Sequence, residues 1–241
     1  MTNIMKTVGV LGGMGPDATV DFMAKVIALT PAERDQDHIH MLVDHNPKVP
    51  NRQTAILGNG EDPGPEIAAM ARRLEAAGAE FLVIPCNTAY VFAPSVLESV
   101  SIPLISIIDE TIAAIGEQSP AAKAVGLLAT NGCLEANVYQ EALQANGLDP
   151  VLPNGAQLEV LMELINGIKA GNRSEAVSAA MRELAGALVS QGAQTIVAAC
   201  TEIPLVLDAA MLSVPLISST DVLALKTVQF ARGELPLPDR E

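Results

Sequence analysis

Apolar and polar positions along this chain follow two different periods, and the switches between them divide it into strands and helices. Unbroken apolar runs at residues 8–11, 81–85, 125–129 and 195–199 are each closed by a Gly, Cys or Thr-Asn-Gly stretch. Short runs of this kind predict strands buried on both faces, as in parallel sheets. After the first run, Val20, Met23, Ala24, Ile27 and Ala28 recur at helical spacing, behind Pro16 and Asp17, which suit a helix's first turn. Pro65 opens a second helix with Ile67, Met70, Ala71 and Leu74 on one face, stopped by Gly78. The pattern predicts further helices over 89–98 (broken at Pro94), 108–118, 135–146, 157–170, 174–190 and 221–232. It predicts further strands over 39–43, 103–107 and 214–217, and an extended loop over 44–53, constrained by Pro47 and Pro50. Strands alternating with helices predict βαβ units and an α/β fold.

The pattern is written twice. Ala79-Glu80-Phe81-Leu82-Val83-Ile84-Pro85-Cys86 is echoed by Ala193-Gln194-Thr195-Ile196-Val197-Ala198-Ala199-Cys200, an offset of 200 − 86 = 114. Downstream, Ile102-Pro103-Leu104-Ile105-Ser106 reappears as Val214-Pro215-Leu216-Ile217-Ser218. Upstream, Val8-Gly9-Val10-Leu11 matches Val125-Gly126-Leu127-Leu128, an offset of 126 − 9 = 117 shared by Gly15 and Gly132. Matching blocks in one order at nearly constant offset indicate an internal duplication. We therefore expect two pseudo-symmetric lobes with parallel sheets, residues 1–113 with 222–241 forming the first and 114–221 the second. No linker is long enough to make them independent.

Composition narrows the function. A chain of 241 residues, 49% hydrophobic and 17% charged, is folded rather than disordered. With 2% aromatics and no Trp it lacks stacking platforms for bases, and a net charge of −14 opposes nucleic acid and anionic membrane partners. No apolar run spans a bilayer, and the first residues lead straight into a strand, so no secretory signal is expected. Three cysteines without a repeated CxxC indicate neither a disulfide framework nor a zinc site, and a reducing cytoplasmic setting follows. His38, His40 and His45 lack the partners that would complete a metal site.

Cys86 and Cys200 then carry the candidate chemistry. A residue directly after a buried parallel strand lies at the carboxyl edge of the sheet, where open α/β folds bind ligands. If a helix begins there, its free amides lower the thiol pKa. One such cysteine is most simply a buried structural thiol. Two at equivalent places of a duplication face a common cleft, where a thiolate removes a proton from a carbon acid and a thiol protonates the opposite face. Asn87, Thr88 and Thr201 could hold a carboxylate beside the sulfurs. The glycine loop Gly12-Gly13-Met14-Gly15 does not fit GxGxxG; it reads equally as an anion cradle or as an ordinary strand-to-helix turn. Arg52, taken alone, is most simply a solvated surface residue.

The chain resembles the aspartate racemase branch of the aspartate/glutamate racemase superfamily over nearly its whole length. The matching blocks are Gly9-Val10-Leu11-Gly12-Gly13-Met14-Gly15-Pro16, Asn46-Pro47 with Pro50-Asn51-Arg52, Pro85-Cys86-Asn87-Thr88-Ala89, Gly126-Leu127-Leu128-Ala129-Thr130 and Cys200-Thr201-Glu202-Ile203-Pro204-Leu205. The resemblance implies two flavodoxin-like lobes, a homodimer, no cofactor, and a small dicarboxylic amino acid as substrate. It implies Cys86 and Cys200 as the two bases. Asn87, Thr88 and Thr201 become ligands of the α-carboxylate with Met14 beside them, and Arg52 and Lys169 ligands of the side-chain carboxylate. Asn46 and Thr130 join the expected substrate site. Gly13-Met14 and Glu202 stand where the glutamate racemase branch has Asp-Ser and His. Tyr90 departs from the histidine usual after Cys-Asn-Thr-Ala, which bears on substrate preference. Cys133 reads as an incidental thiol. Related cysteine-dependent isomerases and decarboxylases, or a non-catalytic two-lobed binder of small acids, are the competing readings.

Overall fold

The structure, a computed structural model, describes residues 5–238; residues 1–4 of the expected N-terminal segment and 239–241 of the tail lie outside them. The first lobe is built from β1 (Val8–Gly12), α1 (Pro16–Leu29), β2 (Met41–His45), α2 (Arg52–Ile56), α3 (Gly64–Ala76), β3 (Phe81–Val83), α4 (Ala93–Leu97), β4 (Leu104–Ile105) and α5 (Ile107–Gln118). The second comprises β5 (Ala124–Ala129), α6 (Asn131–Glu135), α7 (Val138–Ala145), β6 (Asp149–Val151), α8 (Gly155–Lys169), α9 (Glu175–Ser190), β7 (Thr195–Ala199) and β8 (Leu216–Ser218), and α10 (Ser219–Ala231) closes the chain. Both sheets are parallel and have the same order, β2-β1-β3-β4 and β6-β5-β7-β8. That is the start of the doubly wound flavodoxin order, with the crossover beside β1 and β5.

The alternation along each strand sorts its side chains between two cores. Val8, Val10, Phe81, Val83, Leu127, Ala129, Val197 and Ala199 enter one central core shared by both sheets, α1, α5 and α10. Leu11, Leu82 and Ile84 point the other way, onto α3, and Leu128, Ile196 and Ala198 point onto α8 and α9. Period-two alternation of apolar residues on both faces is what a covered parallel sheet requires. The expected boundaries at 113/114 and 221/222 fall inside α5 and α10, two continuous helices that pack against each other.

The duplication is visible at atomic level. A Cβ added to Gly9 would stand 2.6 Å from Leu82, 2.9 Å from Ala79 and 3.2 Å from Leu74; one added to Gly126 would stand 2.5 Å from Ile196, 3.1 Å from Ala193 and 3.2 Å from Leu188. These neighbours correspond one to one at the offset of 114 read from the sequence. Helix and strand meet too closely there for any side chain.

Several expected elements differ. The 44–53 loop stops early, because the Asn51 side chain accepts from the amides of Gln53 and Thr54 and starts α2 at Arg52. The expected 135–146 helix is two, divided by Asn137 in the left-handed conformation (φ 55°). Pro94 opens α4 rather than breaking a longer helix, and Thr88–Phe92 is a 3-10 turn. The edge strand β6, Asp-Pro-Val, has no counterpart in the apolar pattern.

Candidate active site

Cys86 and Cys200 lie at the carboxyl ends of β3 and β7, the equivalent inner strands of the two sheets, and are 7% and 5% exposed. Neither opens an α-helix. Each is followed by a 3-10 turn, Thr88–Phe92 or Ile203–Leu205, so the expected depression of the thiol pKa by a helix terminus is not what Cys200 experiences. Burial pushes the Cys200 thiol well up, the Glu202 charge pushes it further, and Lys169 opposes both. Its Sγ donates to Glu202 Oε2 at 3.0 Å. The Glu202 side chain is 4% exposed, and its Oε1 faces Lys169 Nζ at 3.4 Å.

Lys169, at the last turn of α8, ties the cluster together. Burial works to lower its ammonium pKa, but Glu202, then Cys200 and Cys86, outweigh burial and raise it, while Arg52 lowers it. Both thiols, the guanidinium and the buried carboxylate therefore act on one ammonium. Arg52 Nη1 donates to the Val49 and Pro50 carbonyls, at 3.1 and 2.9 Å. Among the described residues Nε and Nη2 of Arg52 take no protein partner. The fork is thus anchored on one side by its own loop and open on the other.

The lobes interlock reciprocally around the cysteines. Two residues after Cys86, the Thr88 hydroxyl pairs with Thr130 Oγ1 of the second lobe at 2.8 Å, and Thr130 caps α6 through the Cys133 amide. Two residues after Cys200, Glu202 reaches the first lobe's glycine loop, where a Cβ on Gly15 would stand 2.7 Å from Oε1. Gly13 (φ 90°) packs against the Asn46 backbone and donates its amide to Thr19. This holds Met14, 1% exposed, in the same apolar cluster as Cys86.

Asn87 is fixed by a buried chain of hydrogen bonds. Tyr139 Oη donates to Asn87 Oδ1 at 2.6 Å, Asn87 Nδ2 donates to Ser219 Oγ at 3.0 Å, and Ser219 Oγ donates to the Ala198 carbonyl at 2.9 Å. Burial raises the Tyr139 phenol above its ordinary pKa and keeps it a neutral donor. Thr201, 1% exposed, turns its hydroxyl toward Glu202. Asn46 does not join this group: its Nδ2 donates to Glu66 and its Oδ1 accepts from the Lys48 amide, beside a separate open depression of about 450 Å³ formed with Pro50, Glu61 and Asp62. Cys133 is fully buried near Cys86, its thiol pushed up to about 12 by burial and then by the Cys86 charge. Tyr90 packs between the central core and that of the first lobe. Tyr139, Ser219 and the contact between Glu202 and Cys200 were not among the expected site features. Sequence marked Glu202 by its position two residues after a duplicated cysteine and as a branch-distinguishing residue of a family block, but not as a partner of the Cys200 thiol.

Residues 11–227 match the family described as Asp/Glu/Hydantoin racemase. The chain belongs to this family. It is 33% identical over 225 residues to the broad specificity amino-acid racemase RacX of Bacillus subtilis (strain 168), covering 92% of this chain and 96% of that one. The Picrophilus torridus aspartate racemase structure superimposes with a TM-score of 0.81 at 28% identity, covering 94% of both chains. An aspartate racemase homologue from Pyrococcus horikoshii OT3 gives 0.76 at 25% identity, over 94% of this chain and 99% of that one. The two parallel four-stranded sheets are the fold of these racemase structures. Among the described residues no helix is long and apolar enough to cross a membrane, and no group of three or more His, Cys, Asp and Glu could hold a metal ion.

Proposed function

We propose that the protein is an amino-acid racemase that interconverts the D and L forms of a dicarboxylic amino acid, aspartate or glutamate, without pyridoxal phosphate. The reading is carried by Cys86 and Cys200 at equivalent strand ends of two lobes, both acting on the single ammonium of Lys169. In this mechanism one cysteine, as thiolate, takes the Cα proton, and the other, as thiol, delivers a proton to the opposite face. Inversion needs a proton carrier on each face, and a duplicated fold supplies two. The substrate α-carboxylate is received by Asn87, Thr88, Thr130 and Thr201, and the distal carboxylate by the open side of the Arg52 fork with Lys169 beside it. Glu202 already balances much of the Lys169 charge, so Arg52 carries most of the discrimination for a second carboxylate.

The test is a panel of D and L amino acids, acidic and neutral, incubated with the purified protein in deuterium oxide without added cofactor. Optical change and deuterium at Cα should appear together, fastest for a dicarboxylic substrate. Tight binding of these acids with no Cα exchange would overturn the reading in favour of a binding protein. A strict requirement for pyridoxal phosphate would overturn the thiol mechanism.

A further inference from the structure

The two halves of the duplication agree at the cysteines and differ at both residues beyond them, Asn87-Thr88 in the first half and Thr201-Glu202 in the second; the second of these positions brings a change of charge. Their surroundings are otherwise reciprocal, each reaching the opposite lobe's first loop. The chemistry is not. Thr88 offers a neutral hydroxyl, taken up by Thr130 at 2.8 Å. Glu202 offers a carboxylate that accepts the Cys200 thiol at 3.0 Å in a site only 4% exposed. Gly15 has no side chain to obstruct it, since a Cβ there would stand 2.7 Å from Oε1. A buried carboxylate in hydrogen-bond contact with a sulfur opposes a second negative charge on that sulfur, because low local dielectric magnifies the repulsion. The charged and titratable groups around the pair are Lys169 on α8, which faces Glu202, with Cys86 and Arg52 across the cleft.

We propose that Glu202 sets the resting protonation state of the cysteine pair, holding Cys200 as the thiol and so as the acid of the free enzyme, with the base role left to Cys86. This rests on the racemase reading above. In a turnover from that state, the Cys86 thiolate forms an S–H bond with the Cα proton, and the C–H electron pair remains on the planar carbanion. The Cys200 S–H bond breaks as its proton forms the new C–H bond on the other face. Cys200 is then a thiolate beside the Glu202 carboxylate, with Lys169 as counter-charge. Repulsion from Glu202 favours its recapture of a solvent proton while Cys86 releases one. The enzyme thus returns to one form between turnovers, and the two thiols of a nearly symmetric fold are unequal at rest.

The experiment uses the full chain with Cys86→Ser and Cys133→Ser, leaving Cys200 as its single thiol. Ionisation of Cys200 is followed by thiolate ultraviolet absorbance against pH, referenced to the same protein with Cys200→Ser. Adding Glu202→Gln should lower the midpoint by about one pH unit or more, since the negative charge is lost and only a neutral amide acceptor remains. Adding Lys169→Met instead should raise it, because the positive charge that opposes both burial and Glu202 at Cys200 is lost. If Glu202→Gln does not fold, Glu202→Met in the same background decides; an unchanged midpoint in the folded Glu202 variant overturns the proposal. The titration requires no turnover. A Glu202-dependent midpoint in a protein that racemises nothing would uphold the coupling and refute the racemase reading. An active racemase whose Cys200 midpoint ignores Glu202 would refute the coupling alone.

Discussion

The direction of every hydrogen bond around Asn87 follows from one proton. Ser219 has a single hydroxyl hydrogen, and it goes to the Ala198 carbonyl, which can only accept. Ser219 must therefore accept from Asn87 Nδ2, so Oδ1 faces Tyr139, which donates. A residue of the second lobe thus dictates which end of the Asn87 amide is a donor near Cys86. Tyr139→Phe removes that donor and leaves a buried oxygen unsatisfied. It should cost about 1–3 kcal/mol of stability. If Asn87 binds the α-carboxylate, KM should rise on the order of tenfold, corresponding to about 1.4 kcal/mol, with a smaller change in kcat. Steady-state kinetics beside a urea melt read both, and an unchanged KM would remove Asn87 from the substrate site. Cys133 makes a different prediction. Its thiol is held at about 12 in the folded protein against an ordinary 9.0. The folded state keeps this proton while the unfolded state loses it. The associated stability is therefore full below pH 9 and is lost as pH rises toward 12, at about 1.4 kcal/mol per pH unit. Urea melts between pH 8 and 10.5 under reducing conditions should show a shallower alkaline loss for Cys133→Ala than for the parent; parallel slopes would count against a raised thiol.

The elements themselves record the duplication in how β1 meets α3 and how β5 meets α9. Gly9 and Gly126 each sit where a methyl group would meet a strand side chain, an alanine Cβ and a leucine Cβ, all within 3.2 Å. The strand side-chain tips, on Leu82 and Ile196, can turn aside, but the Cβ atoms are fixed to backbone. Gly9→Ala and Gly126→Ala should each destabilise by about 1–3 kcal/mol through overpacking, and by similar amounts. A large cost at one site with none at the other, in chemical denaturation, would show that the lobes are not packed alike. The same elements explain what was legible in sequence. β1, β3, β5 and β7 are buried on both faces, so their apolar runs are unbroken and the cysteines after them are easily found. β6 lies at a sheet edge with its first residue exposed and a proline inside, so no apolar run marks it. α2 is five residues long and depends on the Asn51 cap rather than on periodicity. Asn46 matched a family block, yet its side chain is spent on Glu66 and Lys48, a tertiary contact that no local pattern encodes. The partnership of Glu202 with Cys200 was equally hidden, because adjacency in sequence does not say that a carboxylate turns back onto a sulfur.

At the scale of the whole molecule, one central core joins both sheets, and the cleft is closed by reciprocal contacts rather than by a flexible linker. Asp17 of α1 and Arg173, just after α8, add an ion pair between the lobes, exposed enough to contribute little to stability. A net charge of −14 repels anions at long range, so under the proposed function capture of a dicarboxylic substrate would depend on Arg52 and Lys169 acting at short range. In the proposed mechanism this frame presents one thiol from each lobe to opposite faces of Cα, which makes the two cysteines separable by substitution. Cys86→Ser and Cys200→Ser should each reduce racemisation on the order of a thousandfold, because a hydroxyl is a poor acid and base at neutral pH. Neither variant should lose all chemistry. The remaining thiol still faces one side of Cα, so each should exchange the Cα proton of a single enantiomer with solvent. The two variants should favour opposite enantiomers. Pure D and L substrates in deuterium oxide, followed by proton resonance at Cα, give the four rates directly. If both variants exchange the same enantiomer, the thiols share one face and inversion must have another origin; if both racemise at the parental rate, neither cysteine carries the proton.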